Sequence, residues 1–195
     1  MTARFRIVWQ DLVAFEPTAA EVADVAGALA AAYSEPHNAR MMGHEEPFTA
    51  ADVVEHYTMM LDDGARPFLL EWDGALVGDA DLRAIDGGHA EVALMVSAPS
   101  LQGRGLGTRF ALMLHTFAFS TLGLERLYVA ILPSNTASRR LFEKLGYRAD
   151  DSPTARAHVD DASEASLSIA RADFERAHGS AAGEIQVQPR LDVAG

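Results

Sequence analysis

Short runs of β-branched and aromatic residues open the chain, and a helical pattern follows them. Residues 5–15 contain Phe, Ile, Val and Trp at the density typical of strands, which predicts one or two short strands. Thr18, with Glu21 three residues later, matches a capping box, in which each side chain accepts a hydrogen bond from the other residue's backbone. A helix is therefore expected from this point to about Tyr33.

The same signal returns at Thr49 and Asp52, which predicts another helix to about Leu61. Residues 34–47 lie between the two helices and contain two prolines and a glycine. Because proline and glycine both interrupt regular backbone structure, this segment is predicted to be a loop.

The middle of the chain alternates apolar runs with tight turns. Two runs at residues 68–72 and 75–84 are separated by Asp73-Gly74, a strong hairpin signal. A second turn at residues 86–88 leads to a third run at residues 90–97. Together these runs predict an antiparallel meander.

After the meander the period becomes helical and then alternates again. One apolar face repeats at helical spacing, at Leu106, Phe110, Met113, Leu114 and Phe117. A strand is expected at residues 126–132 and a helix from about Asn135 to Gly146. Two more strands are expected, near Tyr147 and at residues 165–170. This mixture predicts an α/β (α+β) fold.

Composition limits the domain count and the partners. The chain has 195 residues and is 49% apolar, enough for one sizeable core, so we predict one domain over residues 1–178 and a polar tail over residues 179–195. A net charge of −12 argues against nucleic acid as a partner, and the lack of cysteine excludes disulfides and thiol catalysis. No secretory signal and no membrane-spanning apolar run is recognised, so no membrane partner and a cytoplasmic location are expected.

The glycine-rich segment Gln102-Gly103-Arg104-Gly105-Leu106-Gly107 lies between a predicted strand and a predicted helix. The first N–H groups of a helix have no internal acceptors, and glycines let the backbone approach a phosphate closely. The segment therefore predicts an anion-binding helix start, with an ordinary glycine turn as the alternative.

Two other phosphate-binding motifs fail on spacing. A dinucleotide fingerprint requires a third glycine where this chain has Thr108, and Glu125 precedes its strand instead of ending it. A Walker A loop requires Gly-Lys-Ser/Thr, which the sequence lacks.

The motif Gln102-x-x-Gly105-x-Gly107 resembles the Q/R-x-x-G-x-G/A signature of the GNAT superfamily of acyl-CoA N-acyltransferases. The segment from Asn135 to Tyr147 resembles a later helix of that superfamily. The pair is more specific than either motif alone, and the resemblance covers about residues 68–170.

The resemblance implies the GNAT fold, a mixed and mostly antiparallel central sheet flanked by helices, with acetyl-CoA in the cleft between the central strands. The helices before residue 68 also look like the branch that contains ribosomal-protein N-terminal acetyltransferases and spermidine N-acetyltransferases.

Contacts to acetyl-CoA are implied by the same resemblance. The backbone of Met95, Val96 and Ser97 is expected to pair with the pantetheine arm as an added strand, and the Met95 N–H to polarise the thioester carbonyl. Asn135 is expected to contact the same arm or to position the reacting groups. Arg139 or Arg140 is expected to reach the 3′-phosphate, with solvated helix arginines as the alternative. The pyrophosphate is assigned to the helix start, formed by Gln102, Gly103, Arg104, Gly105, Leu106, Gly107 and Thr108.

Transfer to an amine needs a base, because an amine is protonated at neutral pH. Glu91 is the candidate, since it lies eleven residues before the glycine-rich motif and matches the catalytic glutamate of the histone-acetylating branch of the superfamily. The alternative is an exposed strand carboxylate that faces Arg83 across the hairpin. Asp81 and His89 are weaker candidates.

Two positions depart from the superfamily pattern. Many members have a tyrosine as general acid where this chain has Phe142, and another branch has its base where this chain has Ala130. Tyr147 is a candidate substitute for the acid, with core packing as the alternative.

Histidines and carboxylates outside these motifs suggest one further role. The histidines form no close ligand set, so no metal is predicted. Five polar residues of the 34–47 loop are expected to help bind a cationic acceptor, with surface chemistry as the alternative: His37, Asn38, His44, Glu45 and Glu46.

Two hypotheses follow from these observations. The first is an acyl-CoA-dependent N-acetyltransferase that transfers an acetyl group to a primary amine, on a small molecule or a peptide N-terminus, by direct attack in a ternary complex. The second is an acyl-CoA-binding sensor or interaction domain with weak or no catalysis, which Phe142 and Ala130 would permit. Acyl chain length stays open, and a homodimer, common in the superfamily, is a further expectation.

Overall fold

A computed structural model describes residues 3–43, 46–97, 99–101, 103–159 and 164–190. The strands in these ranges are β1 (Arg4–Trp9), β2 (Leu12–Phe15), β3 (Arg66–Trp72), β4 (Ala75–Asp86), β5 (His89–Val96), β6 (Arg126–Ile131), β7 (Arg148–Ala149), β8 (Ala165–Ala170) and β9 (Gln186–Arg190). The helices are α1 (Ala19–Tyr33), α2 (Pro36–Met42), α3 (Ala50–Asp62), α4 (Leu106–Thr116), α5 (Thr136–Lys144), α6 (Pro153–Arg156) and α7 (Arg171–Ala182). A 3₁₀ turn at Pro99–Leu101 precedes α4, and a π-helical turn at Phe117–Thr121 extends it.

The strands form one mixed sheet in the order β7-β8-β6-β5-β4-β3-β2-β1-β9. Its β5 and β6 pair in parallel, whereas the other neighbouring strands run antiparallel. The predicted fold class, a mostly antiparallel sheet flanked by helices, is confirmed.

The predicted meander is formed by β3, β4 and β5. Asp73 and Gly74 both have positive φ angles, 49° and 75°, as a two-residue type I′ turn requires. The second turn also has left-handed backbone at Gly87 and Gly88. Both turn predictions are therefore confirmed.

Alternation along the central strands sorts side chains between two hydrophobic cores. Ala80 and Leu82 of β4 face the larger core, with α4 and α7. The opposite face packs on a smaller core built by α1 and α3, to which Met95 of β5 contributes. Asp79 and Asp81 also point to that second face, because successive strand side chains alternate.

Both predicted capping boxes are present. The backbone N–H of Glu21 donates to Thr18 Oγ1 (3.2 Å), and the Thr18 N–H donates to the Glu21 carboxylate (2.8 Å). Thr49 and Asp52 make the same two bonds at the start of α3. No helix in the described ranges is long and apolar enough to span a bilayer.

The loop predicted at residues 34–47 contains a helix, so that prediction is wrong for its first part. Pro36 is the first residue of α2, where a missing N–H costs nothing, and the Glu35 carboxylate accepts from the N–H groups of His37 and Asn38. Gly43 ends the helix in the left-handed conformation. The proline and the glycine mark the two ends of a short helix.

The predicted tail boundary at residue 178 is also not observed. Helix α7 continues to Ala182, and β9 then pairs antiparallel with β1. Arg190 binds the Glu21 carboxylate at 2.6 Å and lies 4.7 Å from the Phe15 ring centroid. The segment predicted to be a tail therefore completes α7 and adds the edge strand Gln186–Arg190 to the sheet. Residues 191–195 lie outside the described ranges.

Candidate active site

The sheet opens where β5 and β6 separate. They pair over three residue pairs, the last of which is Glu91 with Tyr128. Beyond it the two strands border a cavity of about 370 Å³. The cavity is lined from β4 and β5 on one side, from residues 129–132 on the other, and by α1, α2, α3 and α5 around its rim.

The glycine-rich segment lies at one end of this opening. Gly103 and Gly105 adopt left-handed backbone (φ 75° and 81°), and Gly105 is the N-cap of α4 with no side chain to cap it. The first intrahelical bond of α4 is donated by Arg109, so the preceding N–H groups of the helix have no acceptor within it. This geometry suits the predicted anion site.

Gly107 explains how closely the segment packs. A Cβ added there would lie 2.8 Å from Leu141 Cδ1 of α5 and 3.9 Å from Val96 Cγ2 of β5. The start of α4 therefore lies against both α5 and the end of β5. The side chain of Leu106 is buried in the core, so only its backbone is available to a phosphate.

The arginines of this segment have protein partners. Arg109 forms an ion pair with Asp11, and the Arg104 guanidinium lies 5.7 Å from the Trp72 ring centroid. Gly103 and Arg104 are exposed and Thr108 is half-buried, and their contact with a pyrophosphate stays a prediction. Gln102 lies outside the described residues.

The end of β5 agrees only partly with the predicted pantetheine contact. Met95 lines the cavity and Val96 packs against the larger core. Ser97, however, donates its N–H to the Val77 carbonyl (2.7 Å) and accepts at its own carbonyl from the Asn38 side chain (2.7 Å). Strand-like pairing of the Ser97 N–H with pantetheine would require the first of these bonds to open, which is a correction to the prediction.

Asn135 lines the cavity and holds the start of α5. Its Oδ1 accepts from the Ser138 N–H (3.0 Å), and its Nδ2 donates to the Met41 carbonyl (3.1 Å). The residue thus positions α5 against α2, and its contact with pantetheine stays a prediction. Arg139 pairs loosely with Glu143 one turn along the helix, at 3.8 Å.

Three carboxylates line the cavity on adjacent strands. Across the β4–β5 ladder, Asp79 lies opposite Met95, and Asp81 lies opposite Ala93. Glu91 is 7% exposed and lies opposite Arg83, whose guanidinium donates to it at 2.6 Å. The alternative interpretation, an exposed strand carboxylate facing Arg83, is wrong about exposure and correct about the partner, and the role of Glu91 as the base stays a prediction.

Asp79 accepts hydrogen bonds from two tyrosine hydroxyls at the same oxygen, Oδ2. The Tyr33 hydroxyl donates to its carboxylate, and the Tyr57 hydroxyl does so at 3.1 Å. Burial raises the pKa of Asp79 to about 6, and these two hydrogen bonds oppose that rise. Burial raises the pKa of Tyr33, and the nearby negative charge of Asp79 raises it further. Neither tyrosine was predicted from the sequence.

Asp81 has a different environment. It is 8% exposed, and no described residue donates a hydrogen bond to its Oδ1, since the Arg83 Nε atom is 3.9 Å away. Burial raises the pKa of Asp81 to about 7; the Arg83 charge lowers it, and the nearby Asp79 and Glu91 raise it further.

Tyr147 does not reach this cavity, which corrects its assignment as the general acid. It is 3% exposed in the larger core, and its hydroxyl donates to His115 Nε2 at 2.7 Å. His115 Nδ1 donates to the Ala111 carbonyl, so its Nε2 is the acceptor nitrogen. Burial lowers the pKa of His115 to about 4, which keeps the ring neutral.

Two histidines lie beside Glu91. The His158 ring stacks on Tyr128 with centroids 4.7 Å apart, and its Nδ1 is 3.8 Å from Glu91 Oε2. Burial lowers the pKa of His158, against the attraction of Glu91. His89 lies edge-on to Tyr128, at 5.9 Å between ring centroids, and is not among the described residues that line the cavity.

The polar residues predicted to bind an acceptor from the 34–47 segment are mostly engaged elsewhere. Asn38 is buried and ties α2 to Ala32 and Ser97. Glu46 is exposed outside the cavity lining, and His44 and Glu45 lie outside the described residues. His56 of α3 lines the cavity instead.

The described residues contain no group of three or more His, Cys, Asp or Glu arranged to hold a metal ion. The absence of a metal cofactor stays a prediction.

Comparison with known proteins gives the family. A model described as an acetyltransferase (GNAT) domain matches residues 15–148. The chain is 32% identical over 120 residues to the spermidine N(1)-acetyltransferase of Escherichia coli K12, covering 58% of this chain. That match spans 64% of the relative's length, just under two thirds.

Solved structures share the fold. The aminoglycoside acetyltransferase AAC(6′)-Ib, in complex with ribostamycin and coenzyme A, aligns with a TM-score of 0.71 at 22% identity over 86% of this chain and 97% of its own. Mycobacterium smegmatis RimJ, in complex with CoA-disulfide, aligns with a TM-score of 0.69 at 19% identity over 94% of both chains. Since the family model covers more than half of the chain, the resemblance drawn from the glycine-rich motif is confirmed, and the protein belongs to the GNAT acetyltransferase domain family.

Proposed function

We propose that the protein is an N-acetyltransferase that transfers the acetyl group of acetyl-CoA to the primary amine of a small cationic molecule or a peptide N-terminus. The main support for this proposal is the opening between β5 and β6. The start of α4, which has a glycine N-cap and no capping side chain, lies near this opening, and a cavity lined by carboxylates lies within it. Acetyl-CoA is the donor substrate, and the amine attacks it directly in a ternary complex.

The residues present fit the donor. The α4 N–H groups and the flexible turn at Gly103 and Gly105 suit a pyrophosphate, and Gly107 lets this helix lie against α5 and β5. After Glu91, β5 stays paired with β4 but no longer pairs with β6, so its edge toward β6 is open to an extended amide arm, as to an added strand.

Cavity charge supports a cationic acceptor. Among the described residues, the lining includes the carboxylates of Asp79, Asp81, Glu91 and Glu164 and a single arginine, Arg83. A cleft lined mostly by one sign of charge attracts substrates of the opposite sign. The polyamine substrate in the name of the E. coli relative and the aminoglycoside bound to the structural neighbour agree with this chemistry.

The test is release of CoA thiol from acetyl-CoA with polyamines, aminoglycosides, amino acids and N-terminal peptides as acceptors. We expect turnover to be highest with an acceptor that carries at least one positive charge besides the reacting amine, and to weaken as salt screens the cavity. The monoacetylated acceptor is the matched control. Binding of acetyl-CoA without turnover on any acceptor would favour the sensor or interaction domain over the enzyme.

Tyr147→Phe tests the correction to the general acid. Loss of its hydroxyl leaves the buried His115 Nε2 without its donor, so we expect the free energy of unfolding to fall by about 1–2 kcal/mol. We expect kcat to stay unchanged, because the hydroxyl faces away from the cavity. A large fall in kcat with normal stability would restore Tyr147 as the acid.

A homodimer and a cytoplasmic location are also proposed. Val54 and Leu61, seven residues apart on one face of α3, are 38% and 51% exposed and support a contact with a second copy. Light scattering after size exclusion measures the first proposal, and localisation of a tagged chain the second.

A further inference from the structure

The three carboxylates on the cavity face of β4 and β5 differ in what already binds them. Tyr33 and Tyr57 donate to Asp79, and Arg83 donates to Glu91. Asp81 lies between these two arrangements, on the same face of the sheet. Within the described ranges no group donates to its Oδ1, although the residue is more than nine-tenths buried. The Arg83 Nε atom is 3.9 Å from this oxygen, beyond hydrogen-bond distance. A buried carboxylate without a hydrogen-bond donor is costly, which points to a ligand that supplies one.

The position of Asp81 suits an amine donor. Its partner across the ladder is Ala93, and the neighbours of Ala93 on the same face are Glu91 and Met95. The Ala93 side chain is a single methyl group between the longer side chains of Glu91 and Met95, so the cavity face of β5 has a depression at this point. Met95 marks the place where the family resemblance puts the thioester carbonyl. A nitrogen lying over Ala93 would therefore meet Asp81 on one side and the reacting carbonyl on the other.

Given the N-acetyl transfer proposed above, we propose that Asp81, and not Glu91, binds the acceptor ammonium and takes up its proton. The ammonium N–H donates to the Asp81 carboxylate, and one proton passes to it. The freed lone pair attacks the thioester carbonyl carbon, a C–N bond forms, and the C–S bond breaks with its electron pair on sulfur. The second proton lost by nitrogen ends on the CoA thiolate, and Asp81 returns its proton to water.

Glu91 is already bound by a cation. The Arg83 guanidinium donates to its Oε1 at 2.6 Å, so an acceptor ammonium at Glu91 would compete with that ion pair. Burial raises the pKa of Asp81 to about 7, which is the range in which a general base works best at neutral pH. Glu91 and Arg83 thus set the local charge, while Asp81 exchanges the proton.

Several charged or titratable groups face Asp81 and contribute to any pH dependence. They are Asp79 and Arg83 on β4, Glu91 on β5, Tyr33 on α1, His56 and Tyr57 on α3, and Glu164 before β8. Comparison of single variants within the same protein keeps this background constant.

The experiment measures kcat/KM against pH for the wild type, Asp81→Asn and Glu91→Gln with the best acceptor of the panel. We expect the wild-type value to rise with pH through about 7, as Asp81 loses its proton. Asp81→Asn should lower kcat/KM by about 100-fold or more and remove this rise, whereas Glu91→Gln should keep it. Asp81→Glu should restore part of the rate, and the exposed Asp86→Asn is the control for a charge lost from the same strand.

A second variant tests the placement independently of the base. Ala93→Leu fills the low point of the surface, so the acceptor KM should rise by about tenfold or more, while CoA still raises the melting temperature. Either a wild-type pH profile in Asp81→Asn or loss of the rise in Glu91→Gln alone would overturn the assignment and leave the acetyltransferase proposal intact. A wild type that binds acetyl-CoA but acetylates nothing would overturn both.

Discussion

Replacing Gly78 by alanine is expected to destabilise the protein by forcing apart β4 and β5, the two strands on one side of the cleft. A Cβ at this position would overlap the Met95 carbonyl oxygen and lie 3.0 Å from its carbon and 3.2 Å from the Val96 Cα. All three atoms are backbone, so no side chain can rotate away to make room. We expect the free energy of unfolding to fall by about 3 kcal/mol or more, because overpacking here separates β4 from β5.

The same change should weaken donor binding. Met95 and Val96 end the strand that the pantetheine arm is proposed to follow, so their displacement alters the backbone that it would pair with. The measurement is urea unfolding together with the increase in melting temperature that CoA produces. Gly27→Ala is the matched control, because nothing lies within 4 Å of its added Cβ in the interior of α1. It should stabilise the protein by about 0.5–1 kcal/mol. Equal stability of the two variants would contradict the close approach of β4 and β5.

Most of the sheet could be predicted because its strands have one clear pattern each. The turn at Asp73-Gly74 fixed the β3–β4 hairpin, and the capping boxes at Thr18 and Thr49 fixed the starts of α1 and α3. These signals depend on neighbouring residues only. They survive in the folded chain because no tertiary contact opposes them.

The missed elements include α6 and α7 as well as β9 and α2, and the last two lack such a pattern. Strand β9 is an edge strand whose side chains are mostly exposed, so its sequence Gln-Val-Gln-Pro-Arg has no buried face to recognise. Its contacts with β1 and with Glu21 bridge more than 150 residues of sequence. Helix α2 is short, and its Pro36 and Gly43 are as typical of helix ends as of a loop.

The site divides in the same way. The glycine-rich helix start could be predicted from local spacing, but the partners of each carboxylate depend on strand register. One signal was present: Asp79 and Asp81 alternate within an otherwise buried strand, which places both on one face. The packing of α1 and α3 decides that the Tyr33 and Tyr57 hydroxyls donate to Asp79 and not to Asp81. This choice could not be predicted from the sequence.

Asp81→Asn is expected to raise stability at neutral and alkaline pH. Folding raises the pKa of this carboxyl from 3.8 to about 7, so the folded state binds more protons than the unfolded state between these values. The free energy of unfolding therefore falls as the pH rises through this window. Full ionisation at pH 8 costs at most about 4 kcal/mol. We expect a gain of about 2 kcal/mol in the variant, since asparagine still buries a polar amide.

Urea unfolding at pH 5 and pH 8 measures this gain, which should be the larger at pH 8. Asp86→Asn, exposed near the end of the same strand, should show no such difference, and a variant less stable than the wild type at pH 8 would mean that Asp81 ionises without cost. A carboxylate that weakens the fold at the pH where it is charged needs another reason to be present. Loss of activity together with a gain in stability in Asp81→Asn would identify that reason as proton transfer from the acceptor amine, because catalytic groups are often held at the expense of stability.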